Sequence, residues 1–160
     1  MIIDLSQQRE FSKWTGNNGF IATKSVNTYL AFHHNEPMLA NEVYQESKGN
    51  YKGVYRKLKP LPQQVKHVVI DVTGDGHTYH LRLFGKVNEH CLTYEHSFDT
   101  TKNKRQRIHF RLADFTASLH GFHLTNARIL KPQSITGTGF ISKKSSAESF
   151  ALSVFSLSFF

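Results

Sequence analysis

The chain is 160 residues long, 39% hydrophobic, and carries a formal net charge of +8, with 13 Phe and 6 Tyr. The aromatic content excludes a disordered chain and the length suffices for one buried core, while no apolar run approaches the roughly 18 residues of a membrane-crossing helix. The cationic excess favours an anionic partner, whether an acidic protein face, an acidic polysaccharide, a phospholipid surface or nucleic acid.

From the N-terminus, Met1 to Lys13 has neither the charged start nor the apolar middle of a signal peptide, so the expected compartment is the cytoplasm. Gly19 to Thr23 and Thr28 to His33 read as strands. Asn35 to Ser47 has no clear period, and Asn41 to Ser47 is the one place where a short helix is expected. Val65 to Val72 contains the continuous run Val68-Val69-Ile70, as a strand covered on both faces would. Gly74-Asp75-Gly76 is a tight-turn tripeptide, with glycine available for positive φ. In His77 to Phe84, alternation puts Tyr79, Leu81 and Leu83 on one face, with His80 and Arg82 on the other. Leu92 to Phe98 is a further strand, followed by a polar connection at Lys102-Asn103-Lys104. Arg107 to Leu112 alternates again, with Ile108, Phe110 and Leu112 inward. Asp114 to Leu124 reads as a long loop with one helical turn. Ala127 to Leu130, Ile135 to Ser142 and Phe150 to Phe159 complete the strands, with a polar connection over Lys143-Lys144-Ser145-Ser146. Many short strands at this spacing specify an all-β sandwich or barrel. No linker or repeat divides the chain, so residues 1–160 are expected to form a single domain. The apolar end, Phe150 to Phe160, is prone to aggregate unless it is paired in a sheet or covered.

From Gly49 onward the order of motifs resembles the complex I intermediate-associated protein 30 family. The matching pieces are Gly49-Asn50-Tyr51-Lys52-Gly53-Val54-Tyr55, then Val69-Ile70-Asp71-Val72-Thr73-Gly74-Asp75-Gly76 running on to Leu83. Tyr94-Glu95-His96-Ser97-Phe98-Asp99-Thr100, Ile108 to Phe115, Gly139-Phe140-Ile141 and Phe150-Ala151-Leu152 follow. The resemblance implies a galactose-binding-like jelly roll, two antiparallel sheets packed face to face, and a role in assisting the assembly of respiratory or photosynthetic complexes. It supplies no catalytic constellation. Two departures stand out. Trp14-Thr15-Gly16-Asn17-Asn18-Gly19 lacks the acidic and Val-Met-Gly-Gly-type signature of the family, and Arg105-Gln106-Arg107 replaces a Trp before the Ile108 strand.

Four kinds of site can be weighed. If the two alternating strands share a sheet, His80 and Arg82 join Arg107, His109 and Arg111 on one polar face, extended by Arg105. Such a face would form charge-assisted hydrogen bonds to phosphate, sulfate or carboxylate. Trp14, Tyr51, Tyr55 and Tyr94 are candidates for an aromatic platform on which a sugar or base would stack. No metal site is expected: His33 and His34 point to opposite faces of a strand, and His120 and His123 have no acidic or sulfur ligand at suitable spacing. Catalysis and a bound cofactor have no supporting motif, neither nucleophile elbow, P-loop nor dinucleotide fingerprint. The lone Cys91 can form no internal disulfide, and His90 beside it would point to the opposite strand face. The expectation is a non-catalytic accessory module that acts through a protein partner, as an assembly factor. The alternative is a module for a carbohydrate or other anionic ligand, with nucleic acid less favoured.

Overall fold

Period-two patterning shapes almost everything in the computed structural model, which describes residues 1–5, 7–17, 21–24, 30–34, 52–87, 89–119, 122–125, 129–142 and 150–160. In chain order the elements are β1 (Ile2–Asp4), α1 (Gln8–Phe11), β2 (Thr15–Asn17), β3 (Ile21–Lys24), β4 (Leu30–His34), β5 (Lys52–Lys57) and β6 (His67–Thr73). They continue with β7 (Thr78–Val87), β8 (His90–Asp99), β9 (Arg105–Arg111), β10 (Thr116–Leu119), β11 (Phe122–Leu124), β12 (Ile135–Ser142) and β13 (Phe150–Phe159). One sheet has the order β3-β4-β13-β6-β9, with β1 also paired to β13; the other has the order β11-β10-β8-β7-β12-β5-β2. Every pairing between named strands is antiparallel. The architecture is a jelly-roll β-sandwich: a sandwich, one of the two forms the alternation allows, and of the jelly-roll kind the resemblance implies. Among the described residues, no helix is long and apolar enough to cross a membrane.

The core lies between the sheets. From the six-stranded sheet, β6 contributes Val68, Ile70 and Val72, β9 contributes Phe110, and β13 contributes Leu152, Val154, Leu157 and Phe159. From the seven-stranded sheet come Val54, Tyr79, Leu81, Leu83, Tyr94, Phe98 and Phe140. Full burial of each large side chain is worth roughly 1.5–3 kcal/mol. An aromatic seam crosses the interior: Trp14 stacks on Phe140 at 6.1 Å, Phe140 meets the edge of Phe98 at 6.3 Å, and Phe98 reaches Phe110 of the opposite sheet at 6.0 Å.

Between β6 and β7 the chain crosses from one sheet to the other at Gly74-Asp75-Gly76. Gly76 has φ +93°, the left-handed conformation glycine tolerates. A Cβ on Gly74 would lie 2.3 Å from the Thr100 side chain, which is packed there for a reason. The Thr100 hydroxyl donates to His77 O at 2.7 Å and accepts from Gly76 N at 3.0 Å. The Tyr79 hydroxyl donates to Asp75 Oδ1 at 2.8 Å and closes the same corner.

Four expectations are corrected. Asp114 to Leu124 is not a loop: the helical turn is a 3₁₀ turn at Leu112–Asp114, and β10 and β11 follow it. Ile129 and Leu130 lie outside any strand, and Ala127 outside the described residues. Val65 to Val72 is not covered on both faces, since β6 alternates between buried and half-buried positions. The run Phe150 to Phe159 breaks period two at a bulge beside Phe155. The helix expected at Asn41 to Ser47 and the connection at Lys143 to Ser146 lie outside the described residues.

Candidate functional site

The strand assignments divide the predicted basic face. β7 and β9 belong to different sheets, so His80 and Arg82 lie on the opposite side of the sandwich from Arg105, Arg107, His109 and Arg111. Alternation had placed each of these side chains outward, correctly, but outward from different sheets. Arg82 is also no ligand-ready cation. It is only 3% exposed, and its Nε donates to Glu95 Oε2 at 3.1 Å across the β7–β8 pair. His80 is half-buried on the same side.

The four β9 residues stay together on the outer face of the six-stranded sheet, opposite His67, Val69, Asp71 and Thr73 of β6. Arg105 forms two 2.9 Å hydrogen bonds to the Asp71 carboxylate, and its guanidinium sits 3.9 Å over the Phe155 ring. Those bonds hold the Arg105 pKa above its ordinary value. Arg111 forms the same fork to Asp114, whose carboxyl is thereby held below the usual carboxylate range. Arg107 makes no ion pair among the described residues and is exposed. His109 Nε2 and His67 Nδ1 are 2.8 Å apart, so one ring donates to the other, and both rings stack against Phe160. Strand β1 adds Ile2 to this face, since Ile2 pairs with Ser158 while its neighbour Ile3 is buried.

The outer face of the seven-stranded sheet is built differently. Gly137 and Gly139 on β12 leave bare backbone between Phe84 and Arg82 on β7 and Lys57 and Tyr55 on β5. The strip is tightly packed: a Cβ on Gly139 would come within 2.5 Å of Val54 O. Tyr55, Phe84, Thr136 and Lys57 line a hollow of about 300 Å³ there. Tyr55 is 42% exposed.

The aromatic platform shrinks accordingly. Trp14 and Tyr94 are core residues, at 7% and 2% exposure, and burial pushes the Tyr94 hydroxyl pKa up. Neither ring forms an exposed platform on an outer strand face, although Tyr94 lines a hollow beside Leu112 and Phe115. Tyr51 lies outside the described residues. Of the three candidates among the described residues, Tyr55 is the one placed at the surface.

Among the described residues no group of three or more His, Cys, Asp or Glu is arranged to hold a metal. A second largely buried ion pair, besides Arg82–Glu95, joins Arg56 to Glu10 and ties α1 to β5. Sequence reasoning passed over His67, Phe155, Phe160 and Ile2 as surface residues. A signal existed for His67, which stands outward beside inward Val68 in the same alternation. None existed for Phe155, whose orientation depends on a bulge.

Solved structures with the same fold include a family 11 carbohydrate-binding module from Clostridium thermocellum in complex with a β-1,3-1,4-mixed-linked tetrasaccharide. It is 12% identical, with a TM-score of 0.61 over 91% of this chain and 88% of that one. A structure described as CBM4 is 12% identical, with a TM-score of 0.57 over 93% and 94%. The agarase AgWH50C is also 12% identical, with a TM-score of 0.59 over 96% of this chain and 23% of the agarase. At such identities the likeness establishes the jelly roll, of the galactose-binding-like kind, and nothing about ligands. No curated protein matches this chain closely enough to count as a relative. The model of the complex I intermediate-associated protein 30 family matches residues 4–154, nearly the whole sequence and well beyond the stretch from Gly49 that carried the resemblance. The chain belongs to the complex I intermediate-associated protein 30 family.

Proposed function

We propose that this chain is a non-catalytic accessory module that holds a protein partner against the outer face of its six-stranded sheet, as an assembly factor does. The observation that carries this reading is the composition of that face. Ile2 and Phe160 are 74% and 56% exposed, Val69 and Phe155 are half-buried, and Arg105, Arg107, His109 and Arg111 border them. Arginine and aromatic residues are enriched at protein interfaces, and contiguous exposed apolar surface marks contact sites. Family membership supports an accessory role in the same direction. With a net charge of +8, the partner surface is acidic.

Affinity capture from the native cell tests it, comparing the natural chain with the surface variant Ile2→Ser/Arg107→Glu/Phe160→Ser. The natural chain recovers a defined acidic partner, and the variant, melting at the same temperature, recovers about tenfold less. Equal recovery by both, or no defined partner at all, overturns the reading.

A second reading has its own observation. Tyr55, with Phe84 behind the bare Gly137–Gly139 strip, offers one exposed ring over a shallow hollow, the arrangement that seats a sugar ring. A neutral carbohydrate would bind there through stacking and the Lys57 and Thr136 polar groups. Of the basic residues expected to serve a glycan, Arg105, Arg107, His109 and Arg111 lie on the other sheet.

A further inference from the structure

We infer that one end of the sandwich is a binding site for an amphipathic carboxylate, a medium-chain aliphatic acid, in a hollow that meets the docking face at His67 and Arg111. A hollow of about 490 Å³ opens where the entry to β6, the 3₁₀ turn after β9 and the approach to β12 converge, within the usual size range of small-molecule sites. Its floor is apolar: Val65, Leu112 and Leu130 are 5%, 4% and 4% exposed and belong to the core. Its frame is fixed by backbone hydrogen bonds, Leu112 N to Lys66 O at 2.9 Å, Lys66 N to Phe160 O at 2.9 Å and Ser134 N to Lys131 O at 3.0 Å.

Charge sets the sign of the ligand. Lys66, His67, Arg111 and Lys131 line the hollow, and no carboxylate does among the described residues. Asp114 neutralises Arg111 from outside it. Lys66 and Lys131 have no ion-pair partner among the described residues and stand exposed at the mouth. Two ammonium groups over an apolar floor recognise an anionic head on an apolar body.

The apolar lining continues beyond the first hollow. A second hollow, of about 300 Å³, shares Leu112, Ala113, Ile129 and Leu130 with the first and runs on past Phe115, Ala117 and Leu124. Thr116, Thr125 and His123 rim it. Between the two stands Ile129, 74% exposed, an isoleucine that an alkyl chain would cover. An acid with its carboxylate at Lys66 and Lys131 would lay its tail over Ile129 toward Phe115.

Titration of the ¹⁵N-labelled chain with octanoate, and in parallel with uncharged octanamide, tests the site. Octanoate moves the amide resonances of Ala113, Ile129 and Leu130, and binds about tenfold more tightly than octanamide at low salt, an advantage that shrinks as salt screens the head. Lys66→Gln/Lys131→Gln removes that advantage, and Ala113→Trp blocks both ligands. These positions are exposed, so the variants fold. No binding at millimolar octanoate, equal affinity for the two ligands, or shifts centred on Tyr55 and Phe84 each overturn the inference. None of these results depends on whether a protein partner docks on the six-stranded sheet.

Discussion

Arg82 illustrates how a residue can read as a ligand-binding cation and serve a different end. Its place on the outer face of a strand predicts a wet guanidinium, yet it is 3% exposed and bonded to Glu95, itself 15% exposed. Its own carbonyl accepts from the buried Thr138 hydroxyl at 2.9 Å, so backbone and side chain are both engaged. A guanidinium withdrawn from water is stable only while its partners remain, and deleting one member of such a pair leaves the other charge poorly solvated. Arg82→Met therefore lowers the unfolding free energy by about 3 kcal/mol, the low end for a buried pair because Glu95 retains some contact with water. The measurement is the urea midpoint at constant slope. A midpoint within error of the natural chain would mean that Arg82 is a spare surface cation after all.

At the scale of elements, two bulges decide which residues face the core. Along β13, Leu152 and Val154 point inward, and so do Leu157 and Phe159, a change of phase by one residue. The register shift between Val154 and Ser156 absorbs it and turns Phe155 out under Arg105. The same bulge splits one edge of β13 between two partners, with β4 on Phe150 to Val154 and β1 on Ser156 to Ser158. The apolar end of the chain is thus paired on both edges, the condition under which such a run does not aggregate. Strand β12 repeats the device, with its shift between Ile135 and Gly137. Patterning in the sequence reveals that β12 and β13 are strands, with polar stretches flanking the runs Ile135 to Ser142 and Phe150 to Phe159. It cannot reveal an extra residue inside a strand, since a bulge leaves composition unchanged. Deleting Phe155 would remove the bulge and leave Leu152, Val154, Leu157 and Phe159 in one unbroken period-two run, so the deletion variant is expected to keep the fold. Phe155→Ala keeps the phase and loses mainly the contact with Arg105, at a cost of about 1 kcal/mol or less. Circular dichroism melts check both variants, and a deletion variant that fails to fold would show that β13 needs the extra residue.

The whole molecule presents two unlike faces, and this is what the sequence concealed. A strand's alternation says which side chains point away from the core but not which of two sheets the strand joins. The Gly74-Asp75-Gly76 corner sends β7 to the other sheet, and the turn at Asn103, with φ 59°, returns β9 to the first. His80 and Arg82 were therefore separated from Arg107 by the thickness of the sandwich, though each alternating run was read correctly. Long-range pairing also decides the aromatics, for Trp14 enters the core by stacking on Phe140, far along the chain. With the faces apart, protein docking and sugar stacking can be tested independently. Tyr55→Ala removes an exposed ring of the seven-stranded sheet without touching the core, so its effect on stability is small. If carbohydrate binds there, retardation of the natural chain in native gels cast with mixed-linkage β-glucan is lost in Tyr55→Ala and kept in Arg107→Glu. Partner capture follows the opposite rule, lost in Arg107→Glu and kept in Tyr55→Ala. Retardation that persists in Tyr55→Ala, or none in the natural chain, removes the hollow beside Phe84 from consideration and leaves the arginine face as the working surface of the molecule.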